Sequence, residues 1–146
     1  MTDLRPSILD DLGLLAATGW LLRQQRTIHP SVYIEQDLAI EESDIPEPLK
    51  IVIFRIMQEA FQNISKYSQA EFVSLSIAKR DGAIELTIED NGVGFDVQAT
   101  LNRQMERQGL GLTSMKERAE LSSGSFRIES ILGEGTVIRA CWSLDV

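Results

Sequence analysis

The sequence predicts an α+β fold: a two-layer α/β sandwich with a mixed sheet of about five strands and about three helices on one face. Three observations predict it. Val73-Leu75-Ile77 and Ile84-Leu86-Ile88 sit in alternating segments, the pattern of strands with one buried and one solvated face. Two longer segments instead repeat apolar residues at helical spacing. Helical and strand segments are interleaved along the chain, which places helices against a sheet in one domain.

Taken in order, Ser7 to about Gln25 reads as a helix, with Ile8, Leu12, Leu15, Ala16 and Leu22 recurring and Pro6 at its first turn; Gly13 and Gly19 weaken it. His29-Pro30-Ser31 is a loop, and Val32 to Asp37 a short strand. Glu41 to Pro48 is an acidic, proline-containing linker. Lys50 to about Tyr67 is the strongest helix, with Phe54, Met57, Phe61 and Ile64 forming its apolar stripe. Glu71 to Lys79 alternates, and Asp81-Gly82 turns it into the strand Ala83–Glu89. Leu112 to Ser122 is helical. Ser125–Ile131 and Thr136–Leu144 close the domain as a hairpin around Gly133-Glu134-Gly135.

The 146 residues suit a single domain with its own core. The net charge of −8 argues against nucleic-acid binding, which leaves a basic footprint. With Cys141 alone there is no internal disulfide and no cysteine-based zinc site, and the lone His29 reads as a solvent-facing loop residue. No apolar run has the length of a membrane span or a signal segment, so a cytoplasmic domain without membrane contact of its own is expected, within a parent that continues on the N-terminal side and is itself free to be membrane-anchored.

Chemistry concentrates in four segments. Asp90-Asn91-Gly92-Val93-Gly94-Phe95 follows an apolar strand, and Asp90 has the parity of that strand's inward face. A carboxylate there needs a partner, and a hydrogen-bond-donating ligand is one. Taken locally, Asn91-Gly92 is a hairpin-turn signal. The polar, non-alternating residues 96–108 that follow argue instead for a functional loop. On the helix beginning at Lys50, Arg55, Glu59, Asn63 and Lys66 share one side: either a solvated face, or a set suited to a metal and a phosphate chain. Gly109-Leu110-Gly111-Leu112 precedes a helix, where bare backbone amides favour anions. Gly133-Glu134-Gly135-Thr136 is a hairpin turn, and Thr136 has the parity to reach the face that carries Asp90. Neither a Walker A loop nor a Rossmann fingerprint is present.

In chain order, beginning with Glu59, Asn63 and Lys66, the four segments resemble the asparagine box and three glycine boxes of the GHKL ATPase superfamily, which has the Bergerat fold. Leu4-Arg5-Pro6-Ser7-Ile8-Leu9-Asp10-Asp11-Leu12-Gly13-Leu14, Arg55-Ile56-Met57-Gln58-Glu59-Ala60 and Met115-Lys116-Glu117-Arg118-Ala119 are similar to NarL-type sensor histidine kinases. The resemblance covers nearly the whole chain and implies a single catalytic ATP-binding domain over residues 1–146. Residues 1–14 would be the junction to a dimerisation region bearing the phosphoacceptor histidine, and residues 96–108 the ATP lid. It implies ATP and Mg2+ as ligands. Asp90 would accept from the adenine amino group, Gly92, Gly94 and Phe95 would pack around the nucleotide, and Asn63 would bind magnesium. Lys66 would hold phosphate, Gly109, Leu110, Gly111 and Leu112 would form the lid hinge and its amides, Thr136 would support adenine, and Glu59 would assist phosphoryl transfer. The implied partners are the dimerisation helices of the same parent and a downstream response regulator. Without those helices the chain would bind ATP as a monomer and not autophosphorylate. An anti-sigma-type serine kinase and a non-catalytic nucleotide-sensing module are the rival readings. Tyr67 departs from the family pattern, in which histidine is common, and Ser122-Ser123-Gly124 from a more glycine-rich turn.

Overall fold

A computed structural model describes residues 7–99 and 111–144, leaving out the side chain of Tyr67. Helices α1 (Ser7–Leu12) and α2 (Leu14–Ile28) lead into strand β1 (Tyr33–Ala39). A 3-10 turn (Glu42–Asp44) precedes helix α3 (Glu47–Asn63), which runs on as a π-helical turn (Ile64–Ser68). Strands β2 (Phe72–Arg80) and β3 (Ala83–Asp90), helix α4 (Leu112–Leu121), and strands β4 (Gly124–Ile131) and β5 (Gly135–Ser143) follow. The five-stranded sheet has the order β1-β2-β3-β5-β4; β1 and β2 are parallel and the other pairs antiparallel. The expected mixed-sheet α+β architecture is therefore present, with its alternating strands in register.

One sheet face carries Val73, Leu75 and Ile77 of β2, Ile84, Leu86 and Ile88 of β3, and Ile138, Ala140 and Trp142 of β5, all buried. Against them pack Ile53, Phe54, Ile56, Met57, Ala60 and Phe61 of α3, Leu14, Ala17, Leu21 and Leu22 of α2, and Met115 and Ala119 of α4. The Asp81-Gly82 turn has positive φ at both residues, the geometry that a two-residue hairpin demands.

The predicted helix Ser7–Gln25 is two helices. It breaks at Gly13, whose φ of +96° suits glycine. The reason lies far away in sequence: Glu42 accepts the N–H groups of Leu14 (2.8 Å) and Leu15 (2.9 Å), capping α2. A Cβ at Gly13 would collide with that carboxylate. Burial raises the Glu42 carboxyl, but the bonds from Leu15, Lys50 and Leu14 outweigh it and hold it below its ordinary value. The break also shifts the helical phase. Leu12, expected in the core, is 66 % exposed, while Leu9 and Leu14 are buried.

Two further boundaries differ. The expected linker Glu41–Pro48 holds the 3-10 turn and the first residues of α3, because Pro48 fits a helix start. At the other end α3 widens into the π turn. His29 is half-buried and not a free loop residue; its Nε2 meets Ser65 Oγ at 2.7 Å, tying the end of α2 to that turn.

Candidate nucleotide site

Asp90 is the last residue of β3, with Val73 beside it on β2 and Thr136 beside it on β5. Its parity does turn it inward, and it is 7 % exposed. Its Oδ1 accepts two hydrogen bonds, from Gly92 N–H (2.8 Å) and Ser68 Oγ (3.1 Å). Its Oδ2 has no partner among the described residues. Burial pushes the Asp90 carboxyl up, the Gly92 and Ser68 bonds pull it down, and Glu89 adds a push upward; the net direction is up. A buried carboxylate with one oxygen held and the other free is a pre-set acceptor for an N–H group.

The segment after Asp90 is not a hairpin turn. Asn91 pins the start of β2, its Oδ1 accepting from Glu71 N–H (3.0 Å) and Phe72 N–H (2.9 Å). The glycines make room for the protein's own chain. A Cβ on Gly92 would run into Ser68, and one on Gly94 (φ +67°) into the Ile131 carbonyl. Val93 N–H donates to Ser68 O (2.7 Å), and Gly133 N–H donates to Val93 O (2.6 Å). The segment is thus clamped between the π turn and the β4–β5 hairpin. Phe95 is half-buried against the core.

Thr136 lies beside Asp90 as its parity predicts, but its hydroxyl meets Ser130 Oγ at 2.8 Å. Ser130 Oγ also accepts from Phe95 N–H (2.8 Å) and lies 3.1 Å from Gly135 O. Asp90, Thr136 and Ser130 therefore form one row across β3, β5 and β4. Sequence reasoning missed Ser68 and Ser130. Ser130 carried a signal, as a polar residue with the inward parity of Phe126 and Ile128.

Glu59, Asn63 and Lys66 do not form one α-helical stripe to the end. Asn63 closes α3, and Lys66 stands exposed on the π turn. Glu59 is half-buried, and its carboxylate fills the place where a Cβ of Gly111 would stand. Gly111, with φ of +69°, caps the N-terminus of α4, so the segment carrying Glu59 and the one containing Gly111 meet in space. Gly109 and Leu110 lie outside the described residues, as do residues 100–108 of the expected lid. Leu112 is buried as the first residue of α4.

No cluster of three or more His, Cys, Asp or Glu able to hold a metal occurs among the described residues. Nor is any described helix long and apolar enough to cross a membrane.

Residues 50–146 match the family described as "Histidine kinase-, DNA gyrase B-, and HSP90-like ATPase". The chain is 34 % identical over 140 residues to the oxygen sensor histidine kinase NreB of Staphylococcus carnosus (strain TM300), covering 93 % of this chain and 38 % of NreB. It is 33 % identical over 136 residues to the signal transduction histidine-protein kinase/phosphatase DegS of Bacillus subtilis (strain 168), covering 92 % and 35 %. The chain thus spans little more than a third of the length of these relatives. Among solved structures, the histidine kinase domain of the Erythrobacter litoralis EL346 blue-light activated kinase matches with a TM-score of 0.74 at 16 % identity, over 90 % of this chain and 61 % of that one. The mycobacterial sensor kinase MprB matches with a TM-score of 0.65 at 21 % identity, over 88 % and 93 %. These two likenesses concern the fold.

Proposed function

We propose a function that starts from one fact: the chain belongs to the family of histidine kinase-, DNA gyrase B- and HSP90-like ATPases. In this reading it is the catalytic ATP-binding domain of a NarL-type sensor histidine kinase. It binds Mg-ATP and, within its parent, delivers the γ-phosphoryl group to a histidine on the dimerisation helices, from which a response regulator receives it. The observation that carries the reading is Asp90, a buried residue whose Oδ2 is unpaired among the described residues while its Oδ1 is held twice.

The adenine amino group donates to Asp90 Oδ2. The Ser130–Thr136 pair supports the base from the neighbouring strands. Gly92, Gly94 and Phe95 give the wall of the base site its shape, the glycines by letting the chain pack closely on itself. Toward the phosphates, Asn63 supplies an amide oxygen to magnesium, and Lys66 supplies a cation. Gly111 and Leu112 offer backbone amides at the start of α4, a role the reading also gives to Gly109 and Leu110, which lie outside the described residues. When bound, the magnesium ion neutralises phosphate charge. Glu59, beside Gly111, orients the incoming imidazole and takes up its proton as the N–P bond forms and the bond to the departing ADP breaks. Catalysis is mostly positioning and electrostatics. Residues 1–14 join the domain to the dimerisation helices, and residues 96–108 are the lid.

Calorimetric titration of ATP with and without magnesium tests binding. The expected result is saturable binding strengthened by magnesium. Adding separately made dimerisation helices with ATP then tests transfer: acid-labile, base-stable phosphate on their histidine supports the kinase. Binding without transfer favours the nucleotide-sensing module, and phosphoserine on a protein partner favours the serine kinase.

A further inference from the structure

We infer that Ser68 is a positioning residue that sets the purine choice of the site: by occupying Asp90 Oδ1 it leaves Oδ2 as a lone acceptor, which admits a 6-amino purine and rejects a 6-oxo purine. The inference rests on the reading of Asp90 as the base-binding carboxylate.

Ser68 is 9 % exposed and ends the π turn. It is clamped on both sides. Its carbonyl accepts Val93 N–H at 2.7 Å, and Gly92 lies so close that a Cβ there would overlap both its carbonyl and its hydroxyl oxygen. The next residue, Gln69, has a left-handed φ of +54°, which swings the chain away toward β2. So the hydroxyl is held at one place, 3.1 Å from Asp90 Oδ1, where an ionised carboxylate can only accept.

The consequence concerns protonation. A 6-amino purine presents an N–H donor, which the ionised carboxylate accepts. A 6-oxo purine presents an oxygen there, which only a protonated carboxyl can satisfy. Around Asp90, Val73 on β2, Thr136 on β5, and Ser68 and Gly92 carry no charge, and Glu89 of its own strand is the charge that bears on it. Burial and Glu89 favour the protonated form, while Gly92 and Ser68 oppose it. The Gly92 amide is fixed by the backbone, so the side chain at position 68 is the contact that substitution can change. Removing the Ser68 hydroxyl moves the carboxyl toward protonation and leaves Oδ1 held by the Gly92 amide alone.

The test compares ATP with inosine triphosphate, which differs in the purine 6-substituent and the N1 proton it brings, on wild type, Ser68→Ala and Ser68→Cys, across pH. Cysteine nearly keeps the volume and is a poor donor. Wild type is expected to prefer ATP. Both variants are expected to bind ATP about tenfold more weakly. Binding of inosine triphosphate should be unchanged or tighter, and the acid-side loss of ATP affinity should move to higher pH. A parallel weakening of both nucleotides, or an unchanged ratio and pH profile, would overturn the inference. If one variant unfolds, the other carries the comparison. Wild type that binds no ATP sinks the base-site reading itself; wild type that discriminates while both variants discriminate equally sinks only the role of Ser68.

Discussion

The two ends of the proposed nucleotide site are built differently. At the base end, Asp90, Thr136 and Ser130 are buried or half-buried on adjacent strands, with Ser130 bonded to Thr136 and Ser68 of the π turn bonded to Asp90. At the phosphate end, Lys66 is exposed on a helix terminus, and Glu59 sits half-buried against the cap of α4. A sheet register fixes side chains relative to one another, so it suits a group that must discriminate. A cation acting on a diffuse polyanion needs proximity more than exact geometry. In the proposed reading, the contrast assigns selectivity to the strands with the π turn's Ser68 behind them, and affinity for phosphate to the helix ends.

The largest effect should come from filling the close approach that supports the base end. Gly92→Ala places a methyl group into the Ser68 carbonyl and hydroxyl. It should cost about 3 kcal/mol of stability, as overpacking does, and abolish ATP binding. A thermal melt and a titration check both; a variant of wild-type stability would mean that the clamp is looser than described. Next, Lys66→Ala should weaken ATP about tenfold while leaving adenosine binding unchanged, because an ionic hydrogen bond to phosphate is lost. Equal weakening of adenosine would break the division between the two ends. Smallest, Ser130→Ala removes the acceptor of Phe95 N–H and the partner of Thr136. It should weaken ATP about fivefold and lower the melting temperature by about 4 °C, since it deletes neutral hydrogen bonds.

The base end was more legible in the sequence than the phosphate end, for a physical reason. Strand periodicity survives folding, so the parities of Asp90 and Thr136 predicted their shared face, and β3–β5 pairing sets them side by side. Their hydrogen-bond partners were not legible. Ser68 reaches Asp90 only because α3 widens into a π turn, and α-helical spacing from Asn63 does not carry that change of phase. The same widening takes Lys66 off the expected stripe. The break at Gly13 was hidden likewise, because its cause, the Glu42 cap, lies 28 residues away from Leu14. Gly92 and Gly94 were recognised as sites of close approach, but sequence could not say that what approaches is Ser68 and Ile131.

Asp90 also links recognition to stability, with a definite sign. Its folded carboxyl is raised above the ordinary 3.8, so its contribution to stability is full below that pH and is lost as pH rises through the folded value. At neutral pH the buried charge therefore works against folding. Asp90→Asn should melt higher than wild type at pH 7, with the advantage shrinking as pH falls toward the ordinary carboxylate value; denaturation at stepped pH reads this directly.

The most direct test of the central claim is one calorimetric titration of Mg-ATP into wild type and Asp90→Asn, both confirmed folded by their melts. The account predicts saturable binding to wild type and at least a tenfold loss in the variant, although the variant is the more stable protein. Equal affinity in the two would contradict it, because the carboxylate at Asp90 would then not be what reads the base.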